Sequence, residues 1–541
     1  MTHVFSLIVS NGLVIDGTGN PWYRADIGVE GDRITCIGNL AGEKALRRID
    51  ARGFVVAPGF IDIHTHSDLA LVVDGRADAH IRQGVTTSVT GNCGTSAAPA
   101  TEDTLNLMAG IGIGGAKGLD LDWRSPDDYL KVLEKKGVST NIAALVGHGT
   151  VRNCVMGFEA GKPSQEELAR MKDLVRQAME AGYFGMSTGL VYTPGVYAGT
   201  DEIVELASVV AEFDGLYASH IRGENDTVME ALEEALEVGR RAGARVQVSH
   251  LKAMGRHMWG KSVDLLAAID RARAEGLDVT FDQYPYNASA TGLSAVLPPW
   301  AQEGGREEFM RRLSDKEARA RMREDILNGT GDWVSMYKGV GWENILVTQC
   351  PDPSFEGKSV AQIAAEQAKD GFDACFDLLL EFEGTPRMVY FTIGDEDLER
   401  IMRHPAGMVG SDSGASHIEG PLAVGKPHPR TFGTFVRVLG HYVREKKVIT
   451  LEEAVRRMTS APAQKLRLMD RGLLRPGMKA DIVVFDPDTV ADTATYEKPY
   501  SYAFGVPTVV VNGQVVIDEG EHTGALPGEV LRRRAHGGFA R

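Results

Sequence analysis

Several side chains in this sequence could share one cation. His64 and His66 end the apolar run in "APGFIDIHTHSD", residues 57–68, and in a strand, where side chains alternate faces, both imidazoles point to the same side. "GNCG" sets Cys93 in a tight polar turn, and "YASHIRGE" and "QVSHLKA" each end a short apolar stretch in a histidine, His220 and His250. Imidazole and thiolate are borderline-soft donors suited to zinc, and three protein ligands with one open position is the catalytic arrangement. Taken singly, each residue also fits an ordinary core or loop position. Their common register, directly after an apolar run, is what points to one site.

Asp412, in "VGSDSG", closes another such run. A carboxylate there could take a proton from water and return it to a leaving nitrogen, although alone it would serve equally as a cap or turn residue. Lys252, Tyr284 and Ser289 in "DQYPYNAS", and Arg430 in "PHPRTFGTF" add an ammonium, two hydroxyls and a guanidinium. Converging on one point, they would hold a carboxylate.

The elements that must position these groups follow a repeating pattern. Short apolar runs at 59–63, 86–90, 142–146, 183–187, 216–219, 245–249, 279–282 and 407–411 alternate with amphipathic stretches such as 164–182, which has helix-start chemistry at Ser164. This predicts α/β architecture with a parallel sheet, and eight such strands predict a (β/α)8 barrel whose chemistry sits at the C-terminal strand ends. Those ends carry His64 and His66, Asn92 and Cys93, His148, His220, His250 and Asp412.

Both chain ends instead read as short strands and turns, with Asn11-Gly12 and Asn512-Gly513 as turn candidates. The expected organisation is a small β-sandwich domain from 1–57 plus 467–541 and a barrel over 58–466, with 288–348 as an insertion too long for a loop.

The chain has 541 residues, a formal net charge of −16, and one short basic run at Arg532–Arg534. That argues against nucleic acid or an anionic membrane as the main partner and leaves a small molecule as the expected one. Five scattered cysteines without a CxxC pair fit a reducing compartment. No run approaches a membrane span and the N-terminus has no signal-peptide pattern, so a cytoplasmic enzyme is expected.

With "PGFIDIHTHSD", "GNCG", "GHGTVR", "GMSTGLVYTPG", "SHIRGE", "SHLKA", "DQYPYNAS", "GSDSG", "HPRTFGTF" and "RGLLRPGMKADIVVFDP" in order, the chain resembles the amidohydrolase superfamily, and within it the N-acyl-D-amino-acid deacylase (D-aminoacylase) family. The resemblance implies a metal barrel with a β-sandwich and an insertion after the seventh strand. It implies a tightly held Zn2+ on Cys93, His220 and His250, and a second, weaker position at His64 and His66. Many amidohydrolases bridge two metals with a carboxylated lysine after the fourth strand; "YFGMSTGL" offers none, so Cys93 would bridge.

The implied reaction is hydrolysis of the N-acyl amide of a D-amino acid. Asp412 would move the proton, Lys252, Tyr284 and Arg430 would hold the α-carboxylate with Ser289 nearby, and His148 and Tyr192 would line the substrate. Branches acting on N-acyl-D-glutamate or D-aspartate need a second cation, often in the loop after "YPY"; here "NASATGLSAVLPPWAQEGG" has none. A neutral or apolar side chain is therefore expected, with Arg152 or Arg222 as the cations that could reach in. The competing readings are a D-glutamate or D-aspartate deacylase, a cyclic-amide hydrolase resembling dihydroorotases or hydantoinases, and a non-catalytic scaffold. The missing lysine counts against the cyclic-amide hydrolase, and the intact Asp412 and ligand set against the scaffold.

Overall fold

The eight apolar runs become eight parallel strands, Phe60–Asp62, Val85–Thr90, Asn141–Gly147, Gly185–Gly189, Leu216–His220, Arg245–Val248, Val279–Gln283 and Gly407–Val409, arranged in sequence order in one sheet. The computed structural model describes residues 4–101, 121–331 and 333–533; Arg534 lies outside them. The sheet curls until its edges meet beyond the first and eighth strands: Thr65 and Ser413 form a parallel bridge, Asp412 N donates to the His64 carbonyl and His66 N to that of Ser413, both at 2.9 Å. The result is a nearly closed TIM-type barrel, and its seam lies beside His64, His66 and Asp412.

Burial explains why these segments are strands. Every residue of Asn141–Gly147 is buried, as expected for a parallel strand covered on both faces. Among the covering helices, Gln165–Glu180 starts where the sequence predicts: Ser164 accepts from Glu167 N and the Glu167 side chain reaches back, a capping box. This helix buries Met171, Val175, Ala178 and Met179.

Strands from both chain ends build one nine-stranded sheet, joined where Val55–Pro58 pairs antiparallel with Ile482–Phe485. Asn512 and Gly513 take φ 47° and 77°, the two positive φ values of a tight hairpin turn. Asn11-Gly12 does not turn the chain. The two residues lie inside the strand Val4–Val14 at a register shift, and a Cβ on Gly12 would sit 2.3 Å from Val56 Cγ2, so the glycine is there for close approach.

Between the seventh and eighth barrel strands, Ala288–Gly292, Ile345–Gln349 and Arg387–Phe391 form a separate three-stranded sheet with the last of them in the centre. Its core includes Leu293, Phe309, Val347, Phe376 and Leu379. This inserted unit thus extends past residue 348, because its central strand arrives last. Among the described residues no helix is long and apolar enough to cross a membrane.

Candidate metal centre

The strand ends hold their functional residues in unusual backbone. Cys93, His250 and Asp412 have φ of 52°, 35° and 51°, a region few non-glycine residues occupy and one that costs about 1–3 kcal/mol unless the surroundings enforce it. Here they do. His250 N donates to Asp282 Oδ1 at 2.8 Å, and the same carboxylate oxygen lies 3.0 Å from His64 Nδ1. Around Cys93, a Cβ on Gly91 would lie 1.9 Å from the Leu145 carbonyl oxygen and one on Gly94 2.6 Å from Gly189 N. Both glycines of "GNCG" are therefore needed to seat the thiol against the neighbouring strands.

Two donor groups result, Cys93 with His220 and His250, and His64 with His66, Cys93 and Asp412; within each, the donor atoms all lie within 4.8 Å of one another. Cys93 is common to both. His250 Nε2 is 2.9 Å from His220 Nδ1 and 3.5 Å from Cys93 Sγ, which is 3.3 Å from His64 Nε2. Asp412 Oδ1 lies 2.9 Å from His66 Nε2 and 3.4 Å from His64 Nε2.

The donors fit a zinc ion. Two imidazole nitrogens and a sulfur face one another in a buried space, and His220 Nε2, on the far side of its ring, has no hydrogen bond among the described residues. Burial alone would raise the Cys93 thiol, but the charge of His64 and hydrogen bonds from His220 and His250 outweigh it and hold the pKa well below its ordinary value. That favours the thiolate, the form that ligates. Burial likewise opposes ionisation of Asp412, yet Arg430, His64 and His250 hold its pKa well below the usual carboxylate range.

Arg430 Nη1 is 2.9 Å from Asp412 Oδ2, and its guanidinium lies 4.6 Å from the centre of the Tyr284 ring. Tyr284 Oη is 2.7 Å from Ser289 Oγ, and Lys252 Nζ is 5.9 Å from the Tyr284 ring. Tyr192 packs edge-on to His220 at 5.0 Å and accepts a hydrogen bond from Thr291. The structure thus brings Lys252, Tyr284, Ser289, Arg430 and Tyr192 around the donor cluster.

His148 turns elsewhere: its Nε2 is 2.9 Å from Glu202 Oε1, whose other oxygen is 2.6 Å from Arg152 Nη1. Arg222 is held by both oxygens of Glu234, at 2.8 and 2.9 Å, and by the carbonyls of Val196 and Ala198. The two cations that the sequence left able to reach the substrate are both engaged with acids, Arg152 with the buried Glu202 and Arg222 with the half-buried Glu234.

Sequence reasoning missed Glu224 and Asp282, although "SHIRGE" contains the first and the expected run 279–282 ends in the second. It also missed Tyr390 and Arg387 of the inserted sheet. Tyr390 pairs in register with Ser289. Burial pulls the Arg387 pKa down while Tyr192 and Asp412 favour its charge and Arg430 opposes it, so its guanidinium lies within the field of the cluster. Neither residue belongs to a local motif.

A family model described as "Amidohydrolase family" matches residues 47–517. An N-acyl-D-glutamate deacylase of Alcaligenes xylosoxydans xylosoxydans is 40% identical over 535 residues, 99% of this chain and 98% of its own length. A D-aminoacylase of the same organism is 38% identical over 536 residues, 98% of each chain. The crystal structure of an N-acyl-D-glutamate deacylase from Bordetella bronchiseptica, complexed with zinc and a phosphonate inhibitor that mimics the reaction's tetrahedral intermediate, is also similar. It matches with a TM-score of 0.83 and 38% identity, covering 98% of this chain and 100% of its own.

Proposed function

The chain belongs to the amidohydrolase family, and from that premise we propose that it is a zinc-dependent N-acyl-D-amino-acid deacylase, hydrolysing the linear amide to a carboxylate and a free D-amino acid. The observation that carries this reading is the juxtaposition at one barrel mouth of a Cys93-centred donor cluster, Asp412, and Arg430 against it.

Cys93, His220 and His250 would hold the tighter ion, and His64 and His66, with Cys93 and Asp412, a weaker second position. When bound, zinc polarises the acyl carbonyl and acidifies a water. Asp412 accepts the water's proton and delivers it to the departing nitrogen, for which an ionised carboxylate at the seam is suited. His66 and Arg430 keep it charged and fix its orientation. Arg430, with Tyr284, Ser289 and Lys252, receives the α-carboxylate as a charge-assisted cluster. With the carboxylate in that clamp and the carbonyl at the donor cluster, the third substituent on Cα has one direction left. This gives selection by hand; the D preference is carried over from the deacylase relatives.

The fourth strand, Gly185–Gly189, contains no lysine, which disfavours the cyclic-amide reading. Zinc-loaded protein given N-acetyl-D-leucine and, separately, a 5-substituted hydantoin is expected to release leucine and leave the ring intact. Ring opening without leucine release would reverse the assignment.

A further inference from the structure

One buried carboxylate touches three of the groups assigned above. Glu224 Oε1 lies 3.1 Å from His250 Nδ1 and 2.5 Å from Lys252 Nζ, and its Oε2 lies 3.7 Å from His220 Nε2. The atoms of His250 and His220 that face each other beside Cys93 are Nε2 and Nδ1, so the nitrogens turned toward Glu224 are the ones left over. An imidazole that ligates a metal through one nitrogen carries its proton on the other, and a carboxylate there fixes both ring orientation and tautomer.

The same geometry constrains Lys252. An ammonium has three protons, and three acceptors surround this one: Glu224 Oε1 at 2.5 Å, His250 Nδ1 at 2.9 Å and the His250 carbonyl at 3.1 Å. While His250 Nδ1 is bare, all three protons have protein acceptors. Once His250 ligates through Nε2 and Nδ1 is protonated toward Glu224, that nitrogen no longer accepts. One Lys252 proton then loses its His250 acceptor, and Nζ lies 5.9 Å from the centre of the Tyr284 ring.

We propose that Glu224 is a positioning residue that couples the metal half of the site to the carboxylate clamp: it holds the far-side proton of His250 for ligation, and this arrangement frees one Lys252 N–H for the substrate's α-carboxylate. The inference rests on reading the cluster as a zinc site and Lys252 as part of the clamp.

The test is Glu224→Gln in the full-length protein, which keeps the shape and removes the charge. Zinc affinity, measured by competition with a chromophoric chelator, is expected to fall about 10–100-fold. At saturating zinc the KM for N-acetyl-D-leucine is expected to rise, and Lys252→Met, expected to raise KM in the wild type, is expected to add little in the Glu224→Gln background. A purely structural role would lower the melting temperature and leave zinc affinity and KM unchanged, and that result overturns the proposal. Should the variant not fold, 15N-histidine NMR of zinc-loaded wild type decides: a protonated Nδ1 on His250 supports the coupling, and a bare Nδ1 refutes it. The zinc arm needs no substrate, so a wild type inert toward every N-acyl-D-amino acid would defeat the deacylase reading separately from this one.

Discussion

Asp412→Asn is expected to lower kcat for N-acyl-D-amino acids by about 10²–10⁴-fold, the range that a positioned general acid–base group contributes. Asparagine is nearly isosteric and can still accept the hydrogen bond that His66 Nε2 offers at 2.9 Å, but it can neither take a proton from water nor pass one to nitrogen. Zinc at the Cys93, His220 and His250 group should be retained, because Asp412 belongs only to the other donor group. Steady-state kinetics with metal analysis of the same sample separates the two effects. A variant with full zinc and near wild-type kcat would show that another residue moves the proton.

Arg430→Met is expected to reduce kcat/KM by about 10²–10³-fold, mostly through KM. Removing one partner of a close, buried charge pair costs roughly 3–5 kcal/mol, and here the lost partner is the guanidinium that lies on Tyr284 and next to Asp412. Interactions made equally in the ground and transition states appear in KM, whereas those made only in the transition state appear in kcat. An α-carboxylate clamp belongs to the first kind. The variant should also discriminate less between an N-acyl amino acid and the corresponding N-alkylamide, which lacks the carboxylate. If kcat fell and KM did not move, Arg430 would act mainly on Asp412 and the carboxylate would bind elsewhere.

Much of this molecule is legible from residue order because its chemistry follows strand ends. Each short apolar run stops at the barrel mouth, so the polar residue after it is both a boundary signal and a site candidate. That is how His64, His66, Cys93, His220, His250 and Asp412 are found, and Asp282, ending "VTFD", follows from the same rule. What the sequence hides is side-chain direction and distant pairing. His148 also ends a barrel strand, yet it pairs with Glu202 from a later helix. Tyr390 stands opposite Ser289 through an antiparallel register that joins segments far apart in the chain. Asn11-Gly12 and Asn512-Gly513 are the same dipeptide, but the first lies at a register shift within a strand, with Asn11 at φ 65° and Val56 packed where a Gly12 Cβ would be.

The most direct test of the account is the release of free leucine by zinc-loaded protein from N-acetyl-D-leucine and, separately, from N-acetyl-L-leucine. Release from the D form alone, abolished by a chelator and restored by zinc, is the predicted result. Release from the L form alone, or turnover that persists after all zinc is removed, would contradict it.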